Sequence, residues 1–121
     1  KILVPSISFD ANVATFEKIG EEAIAKNNAI LDQIASILNK YDTYKVSVEG
    51  HANNTSGTEK EDVDELIPLS QARADSIKAE LVKRGISEGR ITTAGKGGRY
   101  PVTKDKAEAW KNRRVEFILN K

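Results

Sequence analysis

The chain has 121 residues, and 19 basic against 18 acidic side chains leave a formal charge of +1. It contains no Cys and a single His, which excludes disulfides, thiolate metal sites, cysteine nucleophiles and paired-His metal motifs. The length suits one domain, residues 1–121, able to bury a core without covalent staples.

The absence of Met, in a chain starting at Lys1-Ile2-Leu3-Val4, suggests part of a longer protein. No apolar run approaches the roughly 20 residues of a membrane-spanning helix, and no signal-peptide pattern is present. The near-neutral total hides an uneven distribution. Residues 59–65 carry −4, whereas residues 78–114 hold eleven bases and four acids. These segments read as a solvated acidic loop and a basic surface open to an anionic partner.

In chain order, Ile7-Ser8-Phe9 reads as a short strand, and Asp10-Ala11-Asn12 as a turn. Phe16, Ile19, Ala23 and Ile24 suggest a helical piece that Gly20 or Asn27-Asn28 could break. Ile30, Leu31, Ile34, Ile37 and Leu38 then recur at helical spacing, which predicts an amphipathic helix over 27–40. Tyr44, Val46 and Val48 alternate with polar residues, as in a half-buried strand ending at Gly50. Residues 51–64 read as a polar loop. A second helix is predicted from about Leu69 to Arg84, with Ser70 as its cap and Gly85 as its stop. Ile91 to Ala94 forms a strand, Gly95 to Pro101 a loop, residues 104–111 a helical turn, and Val115 to Leu119 the last strand. The order is β-α-β-α-β-β, an α/β (α+β) class with helices packed on a single sheet.

No catalytic residue is expected. His51 lacks an evident nucleophile and orienting acid, and reads as a strand-end His bonded to backbone. Gly95-Lys96-Gly97-Gly98 lacks the frame of a phosphate loop. Arg73 lies at the edge of the stripe formed by Ala74, Ile77 and Leu81. In the first turn of a helix capped by Ser70 it would join free N–H groups as a receptor for a carboxylate. The other reading is an Arg paired internally. Arg113 and Arg114 open the last strand and point to opposite faces. Too few aromatic residues interleave with the bases to make a nucleic-acid surface.

Four segments occur in an order that resembles the OmpA-like C-terminal domain, a peptidoglycan-binding module of bacterial envelope proteins. They are Phe9-Asp10-Ala11-Asn12, Val48-Glu49-Gly50-His51, Leu69-Ser70-Gln71-Ala72-Arg73-Ala74 and Asn112-Arg113-Arg114-Val115-Glu116. The resemblance implies a mixed four-stranded sheet with helices on one side. It implies non-covalent binding of the peptidoglycan stem peptide, without enzyme activity, cofactor or metal. It implies a periplasmic location, tethered to the outer membrane through regions outside this chain. By the same resemblance Arg73 receives the carboxylate of the stem-peptide diamino acid, and Asn12, Thr55 and Arg114 line the pocket. Asn53 stands where the family has the Asp that takes the ammonium, and Leu66 replaces a polar Asn. Hydrogen bonds to charged groups contribute roughly 1.5–3 kcal/mol, so a neutral Asn53 weakens the ammonium side. Altered specificity follows, with a neighbouring acid (Glu59, Glu61, Asp62 or Asp64) as a possible replacement. The alternative is a degenerate module that no longer binds cell wall and serves as a structural or protein-interaction domain.

Overall fold

The structure is a computed structural model that describes residues 2–3, 7–8, 21–54 and 56–120. Asn12, Thr55, the turn after Phe9 and the helical piece around Phe16 and Ile19 lie outside the described residues.

Two short strands, β1 (Ile2–Leu3) and β2 (Ile7–Ser8), precede the first helix, α1 (Glu21–Lys40). Helix α1 begins six residues before the expected 27, and the Asn27-Asn28 pair lies within it. A tertiary partner overrides the weak helical propensity of Asn28. Arg84, at the far end of the second long helix, donates from Nη2 to Asn28 Oδ1 at 2.7 Å and from Nε to Asp32 Oδ1 at 2.9 Å. Glu21 and Glu22 in the first turn and Lys40 in the last complement the helix dipole.

Strand β3 (Lys45–Gly50) buries Val46 and Val48 and leaves Lys45 exposed, as the alternation predicts. The segment expected to be a polar loop up to Asp64 is partly helical. A single turn, α2 (Glu59–Glu61), continues through a π-helical turn over Asp62–Leu66 into α3 (Ile67–Lys83). The signal was present in the sequence. Thr58 and Glu61 have capping-box spacing, and the Thr58 side chain accepts the Glu61 N–H. The wide turn falls directly before Pro68, which cannot donate and whose ring would crowd a carbonyl four residues back.

Ser70 therefore does not cap a helix. It lies inside α3, fully buried, donating to Ile67 O and accepting the Gly97 N–H at 2.9 Å. Gly85, with φ +90°, follows α3 as expected. Strand β4 (Ile91–Gly95), a 3-10 segment over Lys106–Asn112 and strand β5 (Arg114–Asn120) complete the fold.

The sheet is mixed and has five strands among the described residues. Its order is β1-β5-β3-β4, and β2 also pairs with β5. β3 and β4 are parallel, with α3 in their connection, and the other pairs are antiparallel. Val46, Val48, Val115, Phe117 and Leu119 line one face. They join Leu31, Ile34 and Leu38 of α1 and Ala74, Ile77 and Leu81 of α3 in one core. Glu49, Thr92 and Glu116 retain solvent exposure on the strands.

Candidate functional site

Helix α3 approaches the sheet most closely where β3 and β4 end. Gly50 and Gly95 are register partners there. A Cβ on Gly50 would lie 1.9 Å from Ser70 O, and one on Gly95 2.7 Å from Ile67 O. Only glycine admits the helix at this distance. The contact sets Arg73, two residues from Gln71 and three from Ser70, beneath the chain leaving β3.

Arg73 is 0% exposed. Its Nη1 donates to His51 O at 3.0 Å, while the His51 N–H donates to Arg114 O at 2.8 Å. Arg73 is mid-helix, not in a first turn, so the dipole argument made from Ser70 does not apply to it. Burial, and then the positive charge of Arg113, lower its pKa to about 10. It remains a cation at neutral pH.

A cleft of about 690 Å³ opens between the chain that follows β3 and the loop that precedes β5. Asn53, Asp62, Gly98, Thr103, Lys104 and Asn112 are among its lining residues. Asn112 organises its floor. It accepts the Val102 N–H at 2.8 Å, and its Nδ2 donates to Asn53 Oδ1 at 2.8 Å and to Thr103 O at 3.0 Å. The sequence reading assigned Asn112 no role beyond its motif.

One acid of the −4 run reaches this cleft. Asp62 is only 5% exposed. Its Oδ1 accepts from Asn54 Nδ2 at 2.9 Å and from Gly98 N at 3.0 Å, and Arg99 Nε is 3.8 Å from Oδ2. Asp64 instead pairs with the exposed Lys60, and Glu61 accepts from Ser56. Leu66 is buried.

Arg114 is held elsewhere. Its Nε is 2.5 Å from Glu116 Oε2, Nη2 donates to Tyr100 O and Nη1 to Asn112 O. With Glu49, His51, Lys96, Tyr100 and Glu116 it lines a separate depression of about 300 Å³. Of the five residues named from the sequence, Asn53 lines the large cleft, Arg73 supports its backbone neighbour and Arg114 lies in the second depression. Asn12 and Thr55 are outside the described residues. Strand alternation does separate the two arginines, and Arg113 is the one whose charge acts on Arg73.

His51 departs from its expected role. Its backbone is bonded, but neither ring nitrogen has a hydrogen-bond partner among the described residues, and the residue is 4% exposed. Burial, followed by the charge of Arg114, lowers its pKa to about 4, so the imidazole is neutral at pH 7. Glu49, His51 and Glu116 place one potential metal-ligand atom each within 4.8 Å of the others. Glu49 and Glu116 were not singled out from the sequence, because only the strand register makes them neighbours.

Comparison with known proteins places the chain by family and fold. The chain is 32% identical over 117 residues to "Probable lipoprotein YiaD" of Escherichia coli (strain K12), covering 95% of this chain and 48% of that protein. It is 32% identical over 107 residues to the peptidoglycan-binding protein ArfA of Mycobacterium tuberculosis, covering 87% of this chain and 31% of that one. The chain thus spans about half or less of the length of these relatives. Its fold is similar to the crystal structure of the peptidoglycan-associated lipoprotein from Burkholderia pseudomallei. The TM-score is 0.76 at 21% identity, over 95% of this chain and 89% of that one. The OmpA family matches residues 15–114, and on this match and these identities the chain belongs to the OmpA family.

Proposed function

We propose that this chain binds the stem peptide of peptidoglycan non-covalently and anchors an envelope protein to the cell wall in the periplasm. The carrying observation is the Arg73 Nη1 to His51 O bond, which joins the Leu69–Ala74 motif to the Gly50–Asn53 motif beside a polar cleft. Membership of a family of binding modules, and the names of ArfA and the Burkholderia lipoprotein, support the reading. In this reading Arg73 supplies positive charge for the diamino-acid carboxylate; Arg114 lines the other depression and takes no part in the cleft, and Asn12 and Thr55 lie outside the described residues. Asn53 contributes a neutral carbonyl, and Asp62 supplies the anionic charge that Asn53 lacks. Specificity for the diamino acid therefore differs from that of relatives carrying Asp at this position. The tether, to the outer membrane, is supplied outside this chain. Among the described residues no helix is long and apolar enough to cross a membrane.

Retention on purified peptidoglycan sacculi tests the proposal. Wild type is expected to be retained, with retention reduced about tenfold or more in Arg73→Lys and in Asp62→Asn. Equal retention of wild type and both variants overturns it.

A second reading has an observation in its favour. Arg73 has no exposed surface, and Asn53 is already engaged by Asn112. A degenerate module that acts in structure or protein interaction would look the same. Asn53→Asp discriminates: gain of diaminopimelate binding from none supports the degenerate reading.

A further inference from the structure

The face of the sheet opposite the helices holds an arrangement that peptidoglycan binding does not use. Glu49 and Glu116 are direct register partners on the antiparallel strands β3 and β5. Like charges placed directly opposite each other in a sheet repel. Two residues beyond Glu49, His51 turns toward the same place, with Nε2 3.8 Å from Glu116 Oε1. Its side chain is 5% exposed, and neither ring nitrogen has a hydrogen-bond partner among the described residues. Buried polar atoms are nearly always satisfied, so a buried imidazole that no described group hydrogen-bonds, set beside two carboxylates, is placed to act as a ligand.

The surroundings narrow the occupant. Arg114 takes Glu116 through Oε2, which leaves Oε1 facing His51. Lys96 Nζ stands 3.9 Å from Glu49 Oε2, a loose contact that a competing cation can replace. The Tyr100 ring meets the His51 ring edge-on at 6.3 Å and bounds the depression. A neutral imidazole and two carboxylates form a borderline donor set suited to a first-row divalent ion of the zinc type. Zinc bonds of about 2.0–2.2 Å place ligand atoms roughly 3.3–3.6 Å apart, against a present spacing of within 4.8 Å.

We infer that Glu49, His51 and Glu116 form a binding site for a divalent transition-metal ion, exemplified by zinc, on the open face of the sheet. The exclusion of paired-His motifs does not reach this set, which uses one His and two carboxylates from adjacent strands. The ion takes the place of Lys96 beside Glu49 and coordinates His51 through Nε2. It also clamps β3 to β5 at the ends that carry the Asn53 and Asn112 cleft.

His51 is the chain's only histidine, so its imidazole gives one set of ring resonances and an unambiguous readout. Zinc chloride is titrated into the metal-free chain, followed by imidazole NMR and by calorimetry. Saturable binding of one ion with a shift of the His51 Nε2 resonance is expected. Glu49→Gln, a partly exposed change that leaves the core untouched, weakens binding at least about tenfold, and His51→Gln abolishes it. Absence of a His51 shift at millimolar zinc overturns the site. So does unchanged affinity in Glu49→Gln, which stands even if His51→Gln fails to fold. Retention of Glu49→Gln on sacculi reports the anchoring proposal separately.

Discussion

His51 carries two roles through different atoms. Its carbonyl accepts Arg73 and its N–H binds Arg114 O, while its ring stays neutral and takes no hydrogen bond among the described residues. The ring makes stability depend on pH with a definite sign. Its pKa is about 4 in the folded chain against 6.5 for an unperturbed imidazole. As pH falls through 6.5 the unfolded chain takes the proton first, so the folded state loses ground until about pH 4. The full difference amounts to about 3 kcal/mol, counting roughly 1.4 kcal/mol per unit. Denaturant unfolding at pH 7 and pH 4 checks this. Carboxylates titrate in the same window, so the His51 share is the part of the pH dependence that disappears in His51→Gln. A slope unchanged in that variant contradicts the argument. At this scale the sequence was only partly legible. Arg73 and Asn53 could be named from their motifs, but the partners that define them are 22 and 59 residues away. Asp62 was one acid among five in its run. Its bonds to Asn54 and Gly98 single it out.

The elements were more legible than the contacts between them. Periodicity located α1, β3, α3 and β5, because apolar spacing is a local property written into each segment. The start of α3 was misplaced for two physical reasons. Pro68 and Ser70 look like helix-start residues, yet the π turn lets the helix continue through Pro68, and Ser70 is consumed by Gly97. The acidic run belongs to the opening turns of this helix, where Glu59 and Glu61 favour the dipole. Glycines were read as turn markers, whereas Gly50 and Gly95 are the floor on which α3 rests. Gly50→Ala forces a Cβ into the backbone carbonyl of Ser70, which no side-chain rotation relieves. Overpacking typically costs about 1–3 kcal/mol and sometimes more, and this clash belongs at the upper end. Thermal or urea unfolding is expected to register that loss, whereas Gly89→Ala, with open space around it, changes little.

Across the whole molecule, the basic segment and the acidic run turn out to be partners. Arg99 pairs with Glu59 and approaches Asp62, and Arg114 is held by Glu116. Arg84 bridges α1 and α3, while Arg90 donates to Leu38 O and Tyr44 O and so satisfies the end of α1. Four of the eleven bases expected to form an open surface, Arg84, Arg90, Arg99 and Arg114, are thus spent on acceptors within the chain. Binding to heparin or DNA is therefore expected to be weak and to vanish near 150 mM salt, as chromatography on immobilised polyanion can measure. Strong retention at that salt contradicts the assignment. The arrangement of the first strands has a mechanical consequence. Ile2 lies beside Leu119, and Ser8 beside Arg114, so β1 and β2 both run antiparallel along β5. Force applied at Ile2 against a hold near Asn112 acts along these strands in opposite directions. The hydrogen bonds then bear the load together in shear, instead of opening one at a time as in a zipper. Under the anchoring role proposed above, the domain is braced along that axis.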